Sequence, residues 1–364
     1  MIKFLDLKKQ YQSIKDEIDN IIFETIQKGN FIGGDIISTF ENQFAKYIGS
    51  NHCIGVANGT DALEISIEAL NLPPRSEILV PALSFISTSE AVSRQGHQVK
   101  FVDINEDFTI CTEDLISKIT SNTKALICVH LYGHPCKMKE ILAISKKFKL
   151  YLIEDCAQAH GAKYDGVSVG NFGHISTFSF YPGKNLGAYG DAGAILTNNK
   201  SLSEKCRMIA NHGRKEKYDH LFEGRNSRLD TIQAAVLSVK LKYLDEWIKK
   251  RNFVANYYNE NLKNIKQIRT PIISEKVFHS FHLYVIQTKK RNELMSFLKN
   301  KGIETGIHYP ILLPNLKAYS KYSFNNFEKS TEVTRNILSL PIGEHLEIEE
   351  LEYIVKTIKR FYKQ

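Results

Sequence analysis

Of the 364 residues, 43% are apolar and 24% charged, and 48 Lys and Arg against 40 Asp and Glu leave a net charge of +8. Such a balance suits a globular chain that can bury a substantial core and excludes a disordered or low-complexity one. No basic and aromatic recognition motif accompanies the charge, so a nucleic-acid partner is not expected; clusters such as Lys146-Lys147 and Lys249-Lys250-Arg251 read as a solvated surface that attracts phosphorylated ligands.

The N-terminus, MIKFLDLKKQYQSIKDEI, lacks the apolar core of a signal peptide, and no apolar run is long enough to cross a bilayer. Six cysteines (Cys53, Cys111, Cys128, Cys136, Cys156, Cys206) show no C-x-x-C pair and no disulfide spacing, which fits a reducing compartment, so a cytoplasmic protein is expected. From about 51 to 198 short β-rich runs alternate with helical patterns. The runs are 53–57, 78–81, 99–102, 125–129, 151–153, 176–180 and 194–197, with helices predicted over 61–70, 87–94 and 138–148. This order predicts an α/β fold with a large, mainly parallel sheet covered by helices. A helical stretch follows, longest over 230–244 with a continuation to 258. The remainder predicts a strand at 282–286, a helix at 292–301, a strand at 303–307 and a closing helix at 348–361, a smaller C-terminal α+β domain. The change in element order divides the chain into 1–245, including the N-terminal segment, and 246–364.

Asp155 follows the apolar run 150–153, and a carboxylate at the carboxyl end of a buried parallel strand points into the crevice where such sheets bind ligands. Lys184 lies just beyond the run 176–180, so an acid and an amine could meet at two strand ends. Taken singly, Asp155 could equally cap a helix and Lys184 face solvent. Gly183, Gly187, Gly190 and Gly193 favour close approach of the backbone to a flat or charged group near Lys184. Two phosphate-loop readings fail: Walker A needs Gly where Phe178 stands and Ser or Thr where Asn185 stands, and the glycine spacing misses G-x-G-x-x-G. Pyridoxal phosphate (PLP) remains, because it requires a lysine, an acid for its ring nitrogen, and hydroxyls with helix-start amides for its phosphate. Asn58-Gly59-Thr60-Asp61 before a helix supplies such a cradle, or is a plain turn and cap; Phe85 could cover the ring or belong to the core. His130, His134 and Cys136 match no strong zinc spacing, so no metal is expected.

Asn58-Gly-Thr-Asp-Ala-Leu63, Val80-Pro-Ala-Leu-Ser-Phe85, Phe101-Val-Asp103, His130-Leu-Tyr-Gly133, Ile153-Glu-Asp-Cys-Ala-Gln158, Ser179-Phe-Tyr-Pro-Gly-Lys184 and Asn226-Ser-Arg-Leu-Asp-Thr-Ile-Gln233 occur in this order. The ordered set, spread over almost the whole chain, resembles the DegT/DnrJ/EryC1/StrS sugar aminotransferases. The resemblance implies the fold of type I PLP-dependent transferases, with Lys184 as the Schiff-base lysine and Asp155 as partner of the pyridine nitrogen. It further implies Gln158 at the ring's 3-hydroxyl, Phe85 stacked on the ring, and Gly59, Thr60, Asp61 and Ser179 around the phosphate. Asn226 would reach that phosphate from the neighbouring subunit of a homodimer with composite active sites. His160, Tyr181, His308 and Tyr309 are expected near the substrate, although strand-end packing is as good a reading for the last two.

The implied reaction moves an amino group from L-glutamate to a nucleotide-linked keto-sugar, in amino-sugar biosynthesis such as that of O-antigen polysaccharide. The Asn-Gly-Thr-Asp sequence resembles the branch that aminates C-3 of dTDP-linked 3-oxo-6-deoxyhexoses, whereas C-4 enzymes usually read Ser-Gly-Thr-Ala there. Tyr181-Pro-Gly-Lys-Asn resembles the dTDP group more than enzymes of UDP-linked 3-oxo-uronates, and no arginine announces itself near the motifs for a sugar carboxylate. A UDP-linked or C-4 keto-sugar substrate, and a catalytically idle, regulatory PLP-binding protein, are the alternatives; a dehydratase of the family would have histidine in place of Lys184.

Overall fold

A computed structural model describes residues 1–320 and 327–363. Three helices open the chain: α1 (Leu7–Ser13), α2 (Lys15–Lys28) and α3 (Asp35–Ile48). Phe40, Phe44 and Ile48 recur at helical spacing on α3 and are buried, which fixes the face that packs on the sheet. Gly29 ends α2 with φ 64°, a left-handed conformation that costs glycine little. The α/β region follows as β1 (His52–Val56), α4 (Gly59–Ala69), β2 (Glu77–Pro81), α5 (Ser87–Arg94), β3 (Gln98–Val102), α6 (Thr112–Ser117), β4 (Thr123–Val129), α7 (Met138–Phe148) and β5 (Tyr151–Asp155). Two short strands, β6 (Lys163–Tyr164) and β7 (Val167–Ser168), precede β8 (Ile175–Ser179), β9 (Gly193–Thr197) and α8 (Lys200–Ala210).

Seven of these strands form one sheet in the order β1-β9-β8-β5-β4-β2-β3. The block from β8 to β3 is parallel, and β9 runs antiparallel to both β8 and β1. Ile78, Leu79 and Val80, like Ala125 to Cys128, are buried as unbroken runs, as strands covered on both faces must be. One apolar cluster joins the sheet to α4, α5 and α8; a second joins it to α3 and the later helix α9 (Thr231–Leu241). Asp155 and Thr177 are in register, so the carboxyl ends of β5 and β8 lie side by side.

Before α9 an exposed hairpin, β10 (Arg214–Glu216) with β11 (Asp219–His220), leaves the body. The single helix predicted over 230–258 is two: α9 ends at Leu241 and α10 (Leu244–Leu262) begins after a turn at Lys242 and Tyr243. The rest comprises β12 (Val277–Phe278), which pairs with β6, then β13 (Tyr284–Gln287), α11 (Arg291–Asn300), α12 (Glu328–Asn336), β14 (Ile337–Leu340) and α13 (Ile348–Lys363). The strand predicted over 303–307 does not form: Ile303 makes one bridge to Ile2 and Gly306 one to Ser339, while β14 pairs with β13 instead. Ile2 thereby joins the apolar cluster of the C-terminal part, with Tyr258, Leu298 and Ile354. Among the described residues no helix is long and apolar enough to cross a membrane.

Candidate active site

Sheet geometry assembles the site. The end of β5 delivers Asp155, the loop after β8 delivers Lys184, and the start of α4 faces both across a cavity of about 1070 Å³. Asp155 is buried and caps no helix: Oδ2 accepts from the Thr88 hydroxyl at 3.0 Å and Oδ1 from the Ala157 amide at 3.1 Å. Burial raises its pKa, and the two hydrogen bonds and the charge of Lys184 oppose that rise. Lys184 opens onto the cavity, yet the surrounding walls desolvate its amine and pull its pKa down to about 8, against the opposing charge of Asp155.

Asn58 caps α4, its side chain accepting from the Asp61 amide at 2.8 Å. The amides before Asp61 have no partner within the helix, so the cap and the anion cradle are one structure. A Cβ on Gly59 would come within 2.7 Å of the Ser179 Cβ; only glycine lets the helix start press against the end of β8. Thr60 and Ser87 share a 2.6 Å hydroxyl contact, the Ser179 Oγ accepts from the Tyr181 amide at 3.3 Å, and Asp61 lines the same wall.

Phe85 is 53% exposed and lines the cavity, tilted against the Tyr309 ring at 5.8 Å, rather than filling the core. The Gln158 Oε1 accepts from the Tyr132 amide at 2.8 Å, and its Nε2 donates to the Tyr309 hydroxyl at 2.9 Å, which leaves one amide hydrogen for a ligand. Tyr181, His308 and Tyr309 line the cavity, with the His308 Nδ1 2.9 Å from the Ser339 Oγ.

One expectation changes. His160 does not line the cavity: it is buried behind it among Phe44, Phe178 and Phe180, and burial pulls its pKa to about 3. Asn226, expected to reach the phosphate of a neighbouring subunit, stands at the rim of the cavity of its own chain. Sequence reasoning also missed Thr88, His282 and three cavity-lining arginines, Arg94, Arg225 and Arg251, so the expectation that no arginine stands near the motifs fails. Carboxylates offset all three. The Arg94 Nε donates to Glu64 at 2.7 Å, Arg225 donates to Glu64 and Glu68 at 2.6 Å each, and Arg251 pairs with Glu344 at 3.2 Å. Arg225 adjoins Asn226 in a quoted motif and could have been read; the others meet the motifs only through the fold.

The residues fit the pyridoxal group. Asp155 is a buried carboxylate with no ion pair among the described residues, a costly state that a pyridinium would relieve; an enclosed amine and an open helix start complete the set. A metal fits poorly. His130, Glu154 and Cys156 converge, but the His130 Nδ1 accepts from the Cys136 amide and its Nε2 hydrogen-bonds Glu154 at 3.1 Å, leaving no free nitrogen lone pair. The Glu154 oxygens in turn accept from the amides of Gly170, Phe172 and Gly173.

The family profile described as the DegT/DnrJ/EryC1/StrS aminotransferase family matches residues 12–359. A dTDP-3-amino-3,6-dideoxy-alpha-D-galactopyranose transaminase of Aneurinibacillus thermoaerophilus is 43% identical over 363 residues, 99% of each chain. A pleiotropic regulatory protein of Geobacillus stearothermophilus is 40% identical, covering 100% of this chain and 99% of its own. The crystal structure of S. venezuelae DesV in complex with a ketimine intermediate superposes with a TM-score of 0.97 at 36% identity, covering 100% of this chain and 99% of that one.

Proposed function

Because the chain belongs to the DegT/DnrJ/EryC1/StrS aminotransferase family, which is PLP-dependent, we propose that it moves the amino group of L-glutamate to C-3 of a nucleotide-linked 3-oxo-6-deoxyhexose carried on dTDP. The observation that carries this reading is the meeting of a desolvated amine, Lys184, and an unpaired buried carboxylate, Asp155, at neighbouring strand ends in one cavity. When bound, the cofactor supplies an electron sink for the carbon that gains or loses the amine.

The chain's residues do the rest. Lys184 holds the cofactor and, with a pKa near 8, can both take and return a proton close to neutral pH. Asp155 would hold the ring nitrogen, Gln158 would serve the ring hydroxyl, and Phe85 would cover the ring. Gly59, Thr60, Asp61 and Ser179, which line the cavity at the start of α4 and the end of β8, would hold the phosphate. Tyr181, His308 and Tyr309 stand on the sugar side, whereas His160 supports the wall from behind.

The C-3 assignment is supported by the Asn58-Gly59-Thr60-Asp61 sequence and by the 3-amino product in the name of the Aneurinibacillus relative. The enzyme is to be given L-glutamate with dTDP-3-oxo-6-deoxyglucose or its galactose epimer, and separately a 4-oxo analogue, and the new nitrogen located by NMR. Nitrogen at C-3 of the dTDP sugar is expected. Nitrogen only at C-4 would sink the regiochemistry, and amination of a UDP-linked 3-oxo sugar alone would remove the carrier.

A cytoplasmic homodimer completes the reading. All six cysteines are unpaired, and Phe23, Ile32 and Leu221 are 63%, 48% and 57% exposed, apolar side chains of the kind that contact with a second copy would cover. If Asn226 acts across the two-fold axis, mixing inactive Lys184→Ala chains with Asn226→Ala chains restores activity in hybrid dimers, each with one intact site. We expect that recovery. Hybrids no more active than the Asn226→Ala parent would mean that Asn226 serves only the cavity of its own chain, and the composite site would be lost.

A further inference from the structure

Lys240 is 0% exposed near the end of α9 and outside the cavity. Among the described residues its ammonium has no carboxylate in contact. It donates to the Gly187 carbonyl at 2.8 Å and to the Gln10 Oε1 at 2.9 Å, and lies 4.2 Å over the Tyr189 ring. Burying a cation against neutral acceptors is expensive, and an apolar side chain of similar length would fill the same space without that cost. What only a donor supplies is the hold on those two oxygens.

Both oxygens lead to the site. Gly187 is three residues past Lys184, and the loop between them is closed at its base: the Lys184 amide donates to the Tyr181 carbonyl and the Ala188 amide to the Phe180 carbonyl, each at 2.8 Å. A Cβ on Gly187 would come within 2.3 Å of the Pro182 carbonyl oxygen, so the two arms of the loop are in contact. On another side the Asn185 side chain donates to the Ser280 carbonyl at 3.0 Å. Gln10, on α1, donates through its Nε2 to Glu344, and Glu344 receives Arg251 at 3.2 Å. Arg251 in turn donates to the carbonyls of Phe281, His282 and Ile342, two of which belong to cavity-lining residues.

We propose that Lys240 is a positioning residue for Lys184: its ammonium pins the base of the Lys184 loop and, through Gln10 and Glu344, ties that loop to the Arg251 clamp on the cavity wall. The inference rests on the reading of Lys184 as the residue that holds the cofactor. Burial pulls the Lys240 pKa down to about 8, with Glu344 opposing, so the ammonium form stands close to its limit.

The test uses the full-length apoprotein. PLP is added, samples are quenched with borohydride at timed intervals, and the adduct at Lys184 is counted by peptide mass spectrometry. Lys240→Met should capture PLP about 10- to 100-fold more slowly than wild type, the order expected when a reacting group is misplaced by about an ångström. Lys240→Gln, which keeps a neutral donor, should recover much of the rate, a rescue that simple loss of packing would not give. Wild-type capture in Lys240→Met overturns the inference. Should that variant fail to fold, Gln10→Leu decides, slowed capture supporting the proposal and an unchanged rate overturning it. Wild-type apoprotein that forms no adduct at Lys184 would instead remove the underlying reading of Lys184.

Discussion

Lys184→Ala is expected to lose turnover by about 10⁴-fold or more, because the same amine holds the cofactor and moves the proton. The wild-type holoenzyme should be yellow, and borohydride should fix the cofactor at Lys184. With a pKa of about 8 rather than the ordinary 10.5, the free amine should capture PLP at a rate that rises through pH 8 and then levels. The sign of the stability effect follows. A lysine whose folded pKa is depressed contributes stability that is present above 10.5 and lost as pH falls through about 8. At pH 7 the charged Lys184 therefore weighs against folding of the apoprotein, and Lys184→Ala should melt no lower than wild type. A colourless protein with no Lys184 adduct after PLP and borohydride would end the assignment. An adduct without any half-reaction on L-glutamate would point instead to an idle holder of the cofactor, as the name of the Geobacillus relative would allow.

Asp155→Asn should cost roughly 10²- to 10³-fold in the glutamate half-reaction, the order seen when one preorganised electrostatic contact to a developing charge is removed. Asparagine is nearly isosteric, and it can still accept from the Ala157 amide and meet the Thr88 hydroxyl. Stability should not suffer. Burial raises the Asp155 pKa, so its contribution is present below the ordinary 3.8 and lost as pH rises through the folded value. Above that value the ionised carboxylate gives the apoprotein nothing that asparagine lacks. Near-wild-type single-turnover rates in Asp155→Asn, measured at saturating PLP, would reject its role at the ring nitrogen.

Both residues were legible because strand ends are. The apolar run 150–153 announces β5, and Asp155, the second of the two acids that follow it, falls at the sheet's carboxyl edge. The Asn58 cap was legible for the same local reason. Thr88, Arg94 and Arg251 were not, since each reaches the cavity from α5 or α10 only once those helices have packed. His160 misled because it stands two residues beyond Gln158, and that short distance along the chain carries it behind the wall rather than into the cavity. The 303–307 segment alternates like a strand, but β13 takes β14 as its partner and leaves the segment isolated bridges. Nothing in Leu241-Lys-Tyr-Leu244 resembles a helix breaker, so the turn between α9 and α10 has no local signature. These are tertiary choices, which override local preference.

Glu154 and Asp155 are consecutive residues of β5, and a pleated strand sends them to opposite faces of the sheet. Glu154 ties down the amides of Gly170, Phe172 and Gly173 and meets His130, while Asp155 opens onto the cavity. Two carboxylates with the same chemistry thus hold unrelated posts separated only by the parity of their position. Substitution tests one post at a time, but inserting a single residue early in β5 would move Glu154 into the place of Asp155 and Ile153 into the place of Glu154. The backbone amides would then face an apolar side chain and the cavity the wrong side chain, so β5 is the stretch of this chain where length is constrained more tightly than composition.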